Sequence, residues 1–280
     1  MTYQYKANHT SYVLYYHLVF VTMKTFPTID QPLARFLEEF FSFKCKDLSV
    51  KLIAQKVLSA HVHLLLSLRP THYLPEVIIG LKQTASHEAN HHHKFTNRLD
   101  WMRGHHINTV SQDDLNIAIT YIRNQFKWHP DQVPLPHTQR KTELYWKLDE
   151  QHKPNDTQRN LYYHVVWTTA KREAMINLQM ANNLKNCFSS KCKEIEVELL
   201  EKEVLSEHVH LSLCGGLTSY LPSITNSLKG ASSYKVNTAL SWARGYHVNT
   251  ISKQHLNAVN TYIQKQYEHH PDKIPQTAPN

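Results

Sequence analysis

Two short patterns in this chain carry ligating and nucleophilic side chains, and each occurs twice. His61-Val62-His63 lies in an apolar run and returns as His208-Val209-His210. Side chains alternate along a strand, so both imidazoles of a triplet project from one face. Two imidazoles on one surface form half of a divalent-cation site. A duplicated pair of packing histidines is the alternative that spacing alone leaves open. Tyr121 and Gln125, and again Tyr262 and Gln266, stand four residues apart. On a helix that spacing stacks a phenol and an amide on one face. Such a pair also packs commonly at the edge of a core. Divergence within the chain favours a site: Arg123 and Asn124 become Gln264 and Lys265, while the tyrosine and glutamine stay.

These patterns belong to a longer internal repeat. Tyr15-Tyr16-His17 recurs as Tyr162-Tyr163-His164, Lys44-Cys45-Lys46 as Lys191-Cys192-Lys193, and Leu81-Lys82 as Leu228-Lys229. Beyond the histidine run at His91–His93 the spacing shortens by six residues, so that run lies in an insertion of the first copy. The later matches are Trp101 with Trp242, Arg103-Gly104 with Arg244-Gly245, Asn108-Thr109 with Asn249-Thr250, and His129-Pro130 with His270-Pro271. The expected organisation is a first domain at 1–130, a linker at 131–158, a second domain at 159–271 and a tail at 272–280. The linker is marked by Pro134, Pro136 and Pro154, and its Glu143–Trp146 segment is a candidate for docking.

Periodicity supplies the elements that hold the patterns. In the first copy, Tyr12–Thr22 reads as a strand, Gln31–Lys46 as a helix, and Val50–Leu58 and His61–Leu68 as paired strands. Leu74 to about Lys94 then reads as a long helix, His105–Val110 as a short strand, and Asp113–Trp128 as a closing helix. The order βαββαβα predicts an α+β fold: two tandem ferredoxin-like or RRM-like domains, each an antiparallel sheet with helices on one face and a C-terminal tyrosine-bearing helix. The other face would be open to a ligand.

The composition, 41% hydrophobic and 19% charged with 6 glycines, is that of a globular protein. No apolar run is long enough to span a bilayer, and the polar start is unlike a secretory leader, so a cytoplasmic protein without a membrane partner is expected. The 31 basic residues exceed the 23 acidic ones, giving a formal charge of +8, which suits a polyanion such as nucleic acid or simply aids solubility. The four cysteines, Cys45, Cys187, Cys192 and Cys214, form no CxxC pair and are expected to be reduced.

The HVH triplet with Tyr-Ile-x-x-Gln on the last helix resembles the HUH single-tyrosine transposases, the group that moves small insertion sequences, together with the REP-associated tyrosine transposases. The resemblance extends to the strands Tyr-His-Leu-Val-Phe and Tyr-His-Val-Val-Trp and to the Trp-x-Arg-Gly-x-His-x-Asn-Thr segments at 101–109 and 242–250. It implies that Tyr121 and Tyr262 are nucleophiles, and that His61, His63 and Gln125, with His208, His210 and Gln266, bind Mg²⁺ or Mn²⁺. It further implies a single-stranded DNA substrate, usually folded as a hairpin at element ends, cut through a 5′-phosphotyrosine link with release of a 3′-OH. Members are normally single-copy homodimers, so the fusion here implies an intramolecular pseudo-dimer, with further self-association open. Whether each tyrosine serves the histidines of its own copy or of the other is also open. Lys24, Lys82, Arg103, Lys171, Lys229 and Arg244 are candidate phosphate contacts, each weighed against a plain surface charge. The competing functions are a domesticated hairpin-binding protein without cleavage and a metal-dependent hydrolase using water.

Overall fold

The computed structural model describes residues 10–91, 95, 97–136, 160–236 and 240–277, with the backbone of 5–7. They divide into two compact units, Tyr15–Arg159 and Met1–Leu14 with Asn160–Asn280. His92, His93 and Glu143–Trp146 lie outside the described residues.

The unit of the first copy is built from β3 (Tyr15–Val21), α1 (Gln31–Asp47), β4 (Lys51–Val57), β5 (His61–Ser67), α2 (Leu74–His91), β6 (His106–Val110), α3 (Leu115–Arg123) and α4 (Gln125–Trp128). The strand order is β4-β5-β3-β6, antiparallel throughout, the ferredoxin-like arrangement expected from the element order. α1 starts where the Asp30 carboxylate accepts the Leu33 amide at 2.9 Å. It buries Leu33, Leu37, Phe41 and Cys45, one residue per turn. Phe41 meets Phe20 of β3 with ring centroids 6.4 Å apart. Phe20, Leu18 and Tyr16 therefore face this helix layer, and by alternation His17 and Val19 face the other way.

The second unit repeats the plan with β7 (Leu161–Thr168), α5 (Leu178–Glu194), β8 (Glu198–Val204), β9 (His208–Gly215), α6 (Leu221–Val236), β10 (His247–Ile251), α7 (Leu256–Gln264) and α8 (Gln266–His269). Here Asn177 caps α5 through the Met180 amide at 2.9 Å. Trp167 packs edge-on to Phe188 of α5 at 5.6 Å, in the place where Phe20 meets Phe41 at a tilt in the first copy.

Three expectations change. The strand read as Tyr12–Thr22 breaks at Leu14, and its first part, β2 (Thr10–Val13), pairs in parallel with β10. With β1 (Tyr5–Ala7) it extends the second sheet to six strands, β1-β2-β10-β7-β9-β8, so these two strands of the chain's start belong to the sheet of the second copy. The closing helix read as Asp113–Trp128 begins at Leu115 and breaks at Asn124. The sheet face opposite α1 and α2 is also not left open. In the second unit Leu256 and Val259 of α7 pack on Tyr162, Cys214 and Ile251, which lie on the same sheet face as His164. The tyrosine-bearing helix is thereby docked across the histidine face.

The ends of the copies are part of the fold. The Ser59 amide bonds to Gln132 O and the Gln31 amide to Leu135 O, so the start of the expected linker is fixed to the first unit. Lys273 O and Gln276 O do the same for Ser206 and Leu178, holding the start of the expected tail.

Candidate active site

The site is assembled from three places in each copy. β5 carries His61 and His63 on one face, their rings 4.9 Å apart and nearly perpendicular. β3, its neighbour, carries His17 on that same face. In the ladder Val19 sits opposite His63 and His17 opposite Leu65, so the two imidazoles are diagonal neighbours, within reach of large side chains. His17 Nε2 lies 2.9 Å from His63 Nδ1, with the rings stacked at 5.1 Å. α3 then places Tyr121 over the pair, edge-on, 6.0 Å from both His17 and His63.

The second copy reproduces this closely. His208 and His210 are 5.1 Å apart, His164 Nε2 is 3.0 Å from His210 Nδ1, and Tyr262 stands 6.0 Å from His210 and 6.1 Å from His164. Each tyrosine thus stands beside the histidine pair of its own copy. Neither is sealed in apolar packing: Tyr121 is 46% and Tyr262 40% exposed. His63 and His210 beneath them are buried.

The helix break after Asn124 sets the glutamine. Gln125 opens the next turn fully buried, and its Nε2 donates to Tyr121 O at 3.1 Å. Gln266 does the same to Tyr262 O at 3.0 Å. With the amide nitrogen so used, Oε1 points the other way, and in both copies this buried oxygen accepts no hydrogen bond from the described residues. A buried amide oxygen without a donor costs about 1–3 kcal/mol unless something outside the protein's own groups satisfies it. A cation would do so, and the donor set of two imidazoles and one amide oxygen suits a divalent ion. Among the described residues no group of three or more His, Cys, Asp or Glu is arranged to hold an ion, so a site here depends on the glutamine.

Burial also sets the charge state. It holds His17 and His164 down to about 4 and, with the neighbouring histidines, His210 down to about 2. His208 is lowered as well, chiefly by burial. At neutral pH these rings are uncharged, the form that ligates metals.

Sequence reasoning did not single out His17, His164, His129 or His270. The last two lie against the first histidine of each triplet, at 5.9 Å from His61 and 5.6 Å from His208. Their recurrence in Tyr-Tyr-His and His-Pro was a usable signal. The basic candidates separate into two kinds. Lys24, Arg103, Lys171 and Arg244 are exposed. Lys82 and Lys229 are not presented to a phosphate: Lys82 Nζ donates to the carbonyls of Met102, Arg103 and Gly104, and Lys229 Nζ to those of Ala243 and Gly245. They brace the two Trp-x-Arg-Gly loops from within, and burial lowers both to about 8. The four cysteines are free and buried, and burial pushes Cys45 up to about 12 and Cys192 and Cys214 to about 11, far from a reactive thiolate.

Each copy is thus a ferredoxin-like domain with a phenol standing over imidazole rings. The chain belongs to the IS200-like transposase family, whose model, described as "Transposase IS200 like", matches residues 10–125 and 157–266, once in each copy. It is a transposase, a DNA-binding protein of insertion-sequence type. It is 25% identical over 119 residues to the ISDra2 transposase TnpA of Deinococcus radiodurans, covering 39% of this chain and 85% of that protein. A solved candidate transposase from Deinococcus radiodurans R1 is 25% identical, covering 42% of this chain and 93% of that one, with a TM-score of 0.32. A REP-associated tyrosine transposase solved bound to a REP hairpin is 13% identical, covering 40% and 69%, with a TM-score of 0.36. No helix among the described residues is long and apolar enough to cross a membrane.

Proposed function

We propose that each copy cleaves and rejoins a single DNA strand, with Tyr121 and Tyr262 as the nucleophiles. The phenol gives up its proton as its oxygen attacks the scissile phosphorus in line, the P–O3′ bond breaks, and the departing 3′-oxygen takes up a proton to leave a free 3′-OH. The 5′ end stays joined to the tyrosine. One ester replaces another, so attack by a second 3′-OH reverses the step and joins strands without a nucleotide cofactor. The observation that carries this reading is the half-exposed phenol standing 6.0 Å from two imidazole rings in one copy and 6.0 and 6.1 Å in the other.

A free phenol titrates near ~10 and is a weak nucleophile at neutral pH, and the phosphodiester repels it. His61, His63 and Gln125, and His208, His210 and Gln266, would hold the Mg²⁺ or Mn²⁺ that polarises the phosphate and stabilises charge on its oxygens. The protein's own groups orient the rest: α3 and α7 aim the phenols, and Arg103 and Arg244 with Lys24 and Lys171 attract the DNA backbone. The substrate is single-stranded DNA carrying a hairpin, and the fused chain serves as an internal dimer with two sites. Labelled single-stranded hairpin DNA, incubated with the protein and Mg²⁺ and run on a denaturing gel, tests this. A shifted adduct that disappears in Tyr121→Phe with Tyr262→Phe is expected. Free cut ends without an adduct would indicate a water nucleophile, and intact retained DNA a binding protein.

A further inference from the structure

Each copy contains an imidazole that the ligand set does not account for. His17 and His164 are neither ends of the HVH triplets nor on the tyrosine helix, yet each lies against the second triplet histidine with a nitrogen–nitrogen distance of 2.9 or 3.0 Å. The stacking repeats as well, 5.1 Å and 17° between planes in one copy, 5.2 Å and 23° in the other. The contact is kept in both copies, together with the short strand segments that carry it, while the copies differ at many positions elsewhere.

We propose that His17 and His164 are positioning residues that accept the Nδ1–H of His63 and His210 at their own Nε2, fixing each of those rings in the tautomer whose Nε2 carries a lone pair. The argument follows from proton counting. A hydrogen bond between two neutral imidazoles has one donor and one acceptor. If His17 Nε2–H donated, His63 Nδ1 would be the acceptor and its proton would sit on Nε2, the wrong nitrogen for ligation. If His63 Nδ1–H donates, Nε2 is the ligating nitrogen, and His17 carries its proton on Nδ1. A ligating histidine is commonly oriented through its second ring nitrogen in this way, by a carboxylate, a carbonyl or a water. Here a neutral imidazole on the adjacent strand takes that place. The diagonal register places it there: His17 is two residues along β3 from Val19, which faces His63 across the ladder, and His164 is two residues along β7 from Val166, which faces His210.

This inference rests on the reading of the HVH histidines as ligands, and its test separates the two. In metal-free full-length protein with ¹⁵N-labelled histidine, long-range ¹H–¹⁵N spectra report which ring nitrogen is protonated. His63 and His210 are expected in the Nδ1–H form. Glutamine places its Oε1 near the position of histidine Nε2, so His17→Gln with His164→Gln should retain that tautomer. Methionine, which offers no comparable acceptor, should let it shift toward Nε2–H. Mn²⁺ affinity, followed by electron paramagnetic resonance, should fall about 10- to 100-fold in the methionine variant and recover in the glutamine variant. Circular dichroism melts establish that both variants fold. The Nε2–H form in the wild type, or equal Mn²⁺ affinity in the methionine variant and the wild type, overturns the proposal. A wild-type chain in the Nδ1–H form that takes up no Mn²⁺ refutes the ligand reading itself, and with it the purpose assigned to these residues.

Discussion

Replacing Gln125 and Gln266 by methionine separates a ligand from a packing residue, because the two roles predict opposite signs. Each amide makes one hydrogen bond to the tyrosine carbonyl of the preceding turn, at 3.1 Å and 3.0 Å, a net gain of about 1 kcal/mol. Each also buries an Oε1 with no donor among the described residues, a cost of about 1–3 kcal/mol. Methionine keeps the length and fills the space without a polar atom. In EDTA each substituted unit should therefore be unchanged or up to about 2 kcal/mol more stable, a rise of several degrees in Tm at about 4 °C per kcal/mol. With Mn²⁺ the order should invert. At a concentration 100 times its Kd, an ion stabilises the wild type by about 2.7 kcal/mol, and the variant should lose most of that gain. Differential scanning calorimetry in EDTA and across a Mn²⁺ series measures both. A variant destabilised by more than about 2 kcal/mol in EDTA, or stabilised by Mn²⁺ as strongly as the wild type, would refute the assignment.

Three further outcomes are expected. Lys82→Met strips three carbonyls of a charged donor and should cost about 3 kcal/mol in urea denaturation, with little change in the salt dependence of DNA binding. Arg103→Ala and Arg244→Ala should do the reverse: stability within about 0.5 kcal/mol of wild type, and a slope of log K against log salt shallower by about 0.7 for each phosphate contact removed. In acid, His17 and His164 stay neutral down to about 4, whereas in the unfolded chain they charge near 6.5. Between those values the unfolded state binds more protons, so the metal-free protein should lose stability steadily as pH falls from 6.5 to 4 and not between 8 and 7. A melting temperature that holds flat through that acid window would contradict the burial of these rings.

The sequence was readable where one element carries the whole pattern. His61 and His63 share a face because strand alternation says so, and Tyr121 meets Gln125 because both lie one turn apart. What was harder depends on register between elements. His17 reaches His63 only because β3 and β5 pair with Val19 opposite His63, and no spacing within β3 states that. The break at Leu14 was hidden because an apolar run without glycine or proline offers no local reason to change sheets. The inward place of Lys82, expected as a phosphate contact, was legible: it is four residues after Ile78 and three before Ala85, both buried, and so lies on the inward stripe of α2. Lys229 holds the same place between the buried Thr225 and Ser232 of α6.

The most direct test of the central claim is to find the covalent bond itself. The full chain, trapped with single-stranded hairpin DNA and Mg²⁺, is digested with nuclease and protease, and the peptides bearing a residual nucleotide are identified by mass spectrometry. The nucleotide should be found on the peptides containing Tyr121 and Tyr262, joined through the phenolic oxygen to a 5′-phosphate. Cut DNA with both tyrosines unmodified, or a nucleotide joined to any other residue, would contradict the account.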